Sequence, residues 1–194
     1  QESLHRALPD GGVRARMRNA FEPCPDALPN FAEMRLEEAQ AMDVMLHLLE
    51  PELVVETGTY RGGSATIWAR HADVITLDPK PSAVLTDPRI TQVIGNSPHD
   101  LEELVLPLIK SRRWIFFHDS IHDPWFLLKE IHWAFNRGAI CALWHDVALN
   151  EMGKVLDALR IARIPAQRLH HFGLDVVRGG EDGDGHHGGR DRDG

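Results

Sequence analysis

Three short clusters hold the side chains best suited to chemistry. The first, Leu53-Val54-Val55-Glu56-Thr57-Gly58-Thr59-Tyr60-Arg61-Gly62-Gly63-Ser64, ends an apolar run on a carboxylate and follows it with a glycine-rich turn. Gly58 and Gly62 let the backbone approach a ligand closely. Ser64, with the free amides of a helix starting there, can hold an anionic group such as an amino-acid carboxylate. Glu56 would repel a pyrophosphate but can accept hydrogen bonds from an ammonium group. A nicotinamide dinucleotide is therefore disfavoured, since its G-x-G-x-x-G fingerprint carries no acid before the first glycine. Asp78, 22 residues after Glu56, stands where an acid hydrogen-bonds ribose hydroxyls in doubly wound nucleotide sites. Gly95-Asn96-Ser97 supplies small polar groups that can meet an adenine edge.

The second and third clusters are Phe117-His118-Asp119-Ser120-Ile121-His122-Asp123 and Leu143-Trp144-His145-Asp146. Asp119 and Asp146, with nearby imidazoles such as His145, can bind a divalent cation. Carboxylate oxygens suit magnesium or manganese, and nitrogen ligands widen the choice toward zinc or iron. Such a cation lowers the pKa of a bound hydroxyl. His118, His132 and the pair His170-His171 have weaker claims. Trp125, Trp133 and Trp144 read first as core and second as the lining of an aromatic acceptor pocket.

These clusters need a scaffold that presents them together. Leu36, Ala39, Met42, Leu46 and Leu49 recur at helical spacing up to Pro51, which ends an amphipathic helix. Apolar runs at Leu53–Val55, Val74–Leu77, Ile90–Ile94, Ile115–Phe117 and Ile140–Leu143 then alternate with helical segments. Ser97-Pro98, Asp123-Pro124 and Asn150-Glu151 read as helix starts. Five buried strands with intervening helices predict a doubly wound, mostly parallel Rossmann-like α/β sheet. Arg168–Phe172 and Leu174–Val177 are expected to close it as an antiparallel pair. In such a sheet all three clusters fall at the carboxyl ends of strands, where ligands bind.

Residues 1–33, with scattered prolines and glycines, read as an irregular arm or acceptor-selecting lid, and 34–178 as one domain. Residues 179–194 hold seven glycines and five acids against two arginines, a composition that predicts a disordered tail. The net charge of −8, with no basic run, argues against nucleic acid and for a small-molecule partner. Cys24 and Cys141 form no disulfide framework or zinc spacing, which fits a cytoplasmic setting. No apolar run approaches the ~20 residues that span a bilayer, and the start lacks a signal-peptide profile.

Glu-Thr-Gly-Thr-Tyr-Arg-Gly-Gly-Ser-Ala resembles motif I of the class I S-adenosylmethionine-dependent methyltransferases. The likeness is greatest to the branch containing catechol O-methyltransferases and the cephalosporin-hydroxylase or rhamnosyl O-methyltransferase group, and runs from about Met34 to Val147. It implies that Glu56, Gly58, Tyr60, Gly62 and Ser64 contact the methionine part of S-adenosylmethionine, Asp78 the ribose, and Asn96 and Ser97 the adenine. It also implies metal ligands at Asp119 and Asp146, with His145 where some relatives have an acid and Val147 where the catechol enzymes have an asparagine. His122, three residues past Asp119, matches the position of the general base, and histidine titrates near neutrality. The implied activity is O-methylation of a small hydroxylated metabolite, assisted by Mg2+ or another divalent cation, in a chain that forms homo-oligomers as relatives often do. The alternative is a module that binds S-adenosylmethionine without turnover.

Overall fold

The computed structural model describes residues 36–144, 146, 151–161, 166–169 and 174–178. The expected arm (1–33), the tail (179–194), His145 and His170-His171 lie outside the described residues.

Helix α1 (Leu36–Leu49) leads into strand β1 (Leu53–Thr57), the short helix α2 (Gly63–Trp68) and strands β2 (Asp73–Asp78) and β3 (Ile90–Ile94). A π-helical turn, Leu101–Val105, runs into α3 (Leu106–Ile109), followed by β4 (Trp114–His118), α4 (Pro124–Asn136) and β5 (Cys141–Trp144). The chain continues through α5 (Gly153–Ile161), β6 (Ala166–Leu169) and β7 (Leu174–Arg178). The sheet has the order β3-β2-β1-β4-β5-β7-β6. Strands β1 to β5 pair in parallel. The closing antiparallel pair forms, its first strand beginning at Ala166, two residues earlier than expected, with β7 antiparallel to both β5 and β6.

The central strands are buried on both faces, which is why they read as unbroken apolar runs rather than alternating ones. Leu53, Val55, Trp114 and Phe116 face one layer, against Leu127 and Ile131 of α4 and Val155 and Leu159 of α5. Val54, Ile115 and Phe117 face the other, against Met42 and Leu46 of α1 and Ala65 and Trp68 of α2. Among the described residues no helix is long and apolar enough to cross a membrane.

Two of the expected helix starts can be compared directly. The Asp123 side chain accepts from the amides of Trp125 and Phe126, with Pro124 in the first turn, as a capping residue should. Ser97-Pro98 does not start a helix. Helical structure begins only at Leu101, because Asp100 takes the Asn96 amide at 2.7 Å and the Ser97 hydroxyl is drawn to Glu130 on α4.

The order of the strands reverses between β1 and β4, and the crevice at that switch point is where a doubly wound sheet binds ligands. Thr57 and His118 are register partners there, so the turns beginning at Gly58 and Asp119 lie side by side. The Asp119 amide donates to the Thr57 carbonyl at 2.8 Å, and the Gly58 amide to the Leu77 carbonyl at 2.8 Å.

Candidate active site

Glu56, the penultimate residue of β1, has no exposed surface. Its carboxylate accepts from Thr76 Oγ1 at 2.6 Å, from Trp68 Nε1 at 3.2 Å, and from the Ser64 hydroxyl. Thr76 Oγ1 is also 2.7 Å from Thr59 Oγ1. Since Thr76 gives its proton to Glu56, Thr59 donates to Thr76, and the loop is tied to β2. Burial pushes the Glu56 carboxyl up to about 7, aided by the negative charge of Asp119 and resisted by the three donors.

That shift has a sign. The folded chain keeps a proton that the unfolded chain releases between the ordinary value of 4.5 and about 7, so stability falls as pH rises through that window. The expected loss is about 3 kcal/mol across it. Glu56→Gln should flatten the dependence, which urea unfolding at a series of pH values measures. Equal slopes in both proteins would contradict the burial of an ionisable carboxyl.

The loop after Glu56 is held by its neighbours. Gly58 and Gly62 have φ of 95° and 78°, and Tyr60 has φ of 43°. A Cβ on Gly58 would sit 1.9 Å from the Asp119 carbonyl oxygen, so only glycine lets the two turns pass. Asp78 reaches back across the loop, accepting the Tyr60 amide at 2.9 Å and the Lys80 amide at 2.7 Å. Each oxygen keeps a second lone pair with which to accept another hydrogen bond. Tyr60 and Asn96 are exposed, whereas Ser64 is buried. A surface cleft of about 500 Å³, lined by Arg61, Ser82, Leu85 and Thr86 among others, flanks this loop on the β2–β3 side. It holds none of Asp119, His122 and Asp146, so the chemistry is assigned to the strand ends instead.

Asp119, His122 and Asp146 converge, with one ligand atom from each lying within 4.8 Å of the others. His122 Nε2 is 3.1 Å from Asp146 Oδ2. All three are partly buried. Asp146 holds a left-handed backbone at φ 57°, a conformation that aspartate adopts more readily than most non-glycine residues. Two carboxylates and an imidazole at this spacing form a donor set for a divalent cation, and the nitrogen shifts the preference from magnesium toward manganese, iron or zinc. The described residue that joins the two acids is thus His122.

Beneath these acids lies a second polar cluster that the sequence does not advertise. Glu130 of α4 is fully buried, and His118 is 1% exposed. The Glu130 carboxylate accepts from His118 Nδ1 and Ser97 Oγ at short range, from Thr57 Oγ1 at 3.2 Å and from Ser120 Oγ at 3.4 Å. Of the three tryptophans considered for an acceptor pocket, Trp144 is buried and Trp133 packs against Trp114 and Phe116. Trp125, by contrast, is 72% exposed. His132 is exposed on α4 and lies beside Asn136.

No protein-family profile matches the chain, and no curated protein does. Solved structures match well. The SAH-bound Podospora anserina methyltransferase PaMTH1 superposes with a TM-score of 0.58 at 18% identity, over 90% of this chain and 89% of that one. Apo CmcI-N160 gives 0.55 at 19% identity, over 91% and 86%. The MycE methyltransferase of mycinamycin biosynthesis, in complex with Mg, SAH and mycinamycin VI, gives 0.52 at 15% identity. That match covers 69% of this chain, which spans under half (45%) of the MycE chain. The fold is therefore the Rossmann-like fold of the S-adenosylmethionine-dependent methyltransferases. Within it, this chain shares the architecture of PaMTH1, CmcI and MycE.

Proposed function

We propose that the chain is an S-adenosylmethionine-dependent O-methyltransferase acting on a small hydroxylated metabolite, with a divalent cation at the reaction centre. The observation that carries the reading is the convergence of Asp119, His122 and Asp146 beside the Gly58 turn, at the switch point of a methyltransferase fold. The glycine loop would hold the methionine part and Asp78 the ribose, while Asn96 and Ser97 lie by the base. A charged ammonium near Glu56 would favour its ionised form, so loop and ligand stabilise one another.

Methyl transfer from a sulfonium is an in-line displacement that gains mostly from alignment, worth roughly 7–11 kcal/mol when the partners are well held. Asp119 and Asp146 would carry the cation, which when bound lowers the pKa of an acceptor hydroxyl. His122 is positioned to take the hydroxyl proton, and Asp146 at 3.1 Å stabilises the imidazolium that results. MycE was solved with Mg, SAH and mycinamycin VI, which supports a cation and a small-molecule acceptor here.

The test is transfer of a labelled methyl group from S-adenosylmethionine to a panel of phenols, sugars and macrolides, with Mg2+, Mn2+ or chelator. Transfer that chelation abolishes is the expected result. Transfer indifferent to chelator would remove the cation from the reading. Absence of transfer across the panel, despite tight binding of S-adenosylhomocysteine, would favour a binding module.

A further inference from the structure

We propose that Glu130 sets the polarity of Ser97 and so makes the site select a 6-aminopurine over a 6-oxopurine. The inference rests on the cofactor reading above. A serine hydroxyl has one proton to give and two lone pairs to offer. The Ser97 proton is committed to Glu130 Oε1. Glu130 has no exposed surface and is surrounded by donors, with Thr57 at 3.2 Å, Ser120 at 3.4 Å and His118 Nδ1 closer still. With four polar groups gathered on it, the Glu130 carboxyl acts toward Ser97 as an acceptor, so a Ser97 proton turned outward would leave a buried oxygen short of a partner.

Ser97 is only partly buried, and what it shows to a ligand is therefore lone pairs. An adenine exocyclic amine donates to those lone pairs. The 6-oxo group of a deaminated base would oppose acceptor to acceptor, and a site built for one hydrogen-bonding pattern rejects its reverse. Glu130 thus acts through Ser97 as a positioning residue. His118, held on the same carboxylate by Nδ1, has no partner for Nε2 among the described residues. The Nδ1 contact is therefore what fixes the His118 ring against Glu130.

The experiment compares binding of S-adenosylhomocysteine and its deaminated counterpart, S-inosylhomocysteine, to the wild type, Glu130→Gln and Ser97→Ala. Circular dichroism and thermal unfolding confirm that each is folded. The wild type should prefer the adenosyl ligand by ~10-fold or more, the loss of one good hydrogen bond plus an acceptor clash. In Glu130→Gln the amide can donate to Ser97 and free its proton, and the preference should shrink to within ~3-fold. Ser97→Ala, a smaller change that leaves Glu130 three donors, should shrink it likewise. A purely structural role for Glu130 would weaken both ligands equally and leave the ratio alone. A folded variant that keeps the wild-type ratio overturns the inference, as does a wild type with no preference. Failure of the folded wild type to bind either ligand instead overturns the cofactor reading, and this inference with it.

Discussion

Gly58→Ala is expected to destabilise the protein by on the order of 4 kcal/mol and to abolish binding of S-adenosylhomocysteine. Two costs combine. The residue has φ 95°, where an alanine is strained by roughly 1–3 kcal/mol. The added carbon would also stand 1.9 Å from the Asp119 carbonyl oxygen and 2.5 Å from its carbonyl carbon. Backbone cannot yield as a side-chain tip can, so the two turns must separate, at a further cost of about 1–3 kcal/mol. That separation displaces Asp119 and the loop together. Chemical denaturation gives the first quantity and calorimetry the second. An alanine variant with wild-type stability and affinity would show that the turns do not cross as described.

Asp119→Asn is expected to lower kcat/KM by ~10²–10⁴, the range associated with losing a positioned acid–base or charge-stabilising group. The amide keeps the size of the side chain and loses its charge, so the cation affinity of the Asp119–Asp146 pair should fall with activity. A second readout separates this from misfolding. The Asp119 charge is one of the causes that push the Glu56 carboxyl up, so its removal should lower the upper edge of the pH window over which stability falls, while burial keeps that edge above the ordinary carboxylate range. Full activity in Asp119→Asn would exclude the carboxylate from the chemistry.

The sheet was legible because its central strands are buried on both faces, whereas β3, expected to be buried as well, is only partly covered, with Ile94 exposed. The run Leu53-Val54-Val55 and the run Ile115-Phe116-Phe117 can be nothing but interior at that density of apolar residues, and each strand extends at most two residues beyond the run that announces it. The Asp123-Pro124 cap was legible because capping is local. Ser97-Pro98 carries the same local signal and misleads, since a contact with Glu130, 33 residues away, outcompetes the cap.

The candidate site divides along the same line. Glu56, Gly58, Asp78 and Asp119 stand at strand ends that periodicity locates. Glu130 does not, for it sits between Lys129 and Ile131 on an amphipathic helix and looks like any solvent-facing acid. Only the convergence of Thr57, Ser97, His118 and Ser120 from three strand ends makes it interior. Likewise Trp125 has the spacing of a core residue, yet its place in the first turn of α4 leaves it in solvent.

Everything proposed for this chain depends on S-adenosylmethionine binding to this loop and these strand ends. Calorimetric titration of the purified protein with S-adenosylhomocysteine, with and without Mn2+ and beside Asp78→Ala, tests it most directly. Micromolar binding, about −8 kcal/mol, is expected, and Asp78→Ala should weaken it by ~1–3 kcal/mol through lost hydrogen bonds to the ribose and a loosened Tyr60 turn. A folded protein that shows no heat of binding would leave the glycine-rich loop as a strand-to-helix turn without a ligand, and the methyltransferase assignment would fall with it.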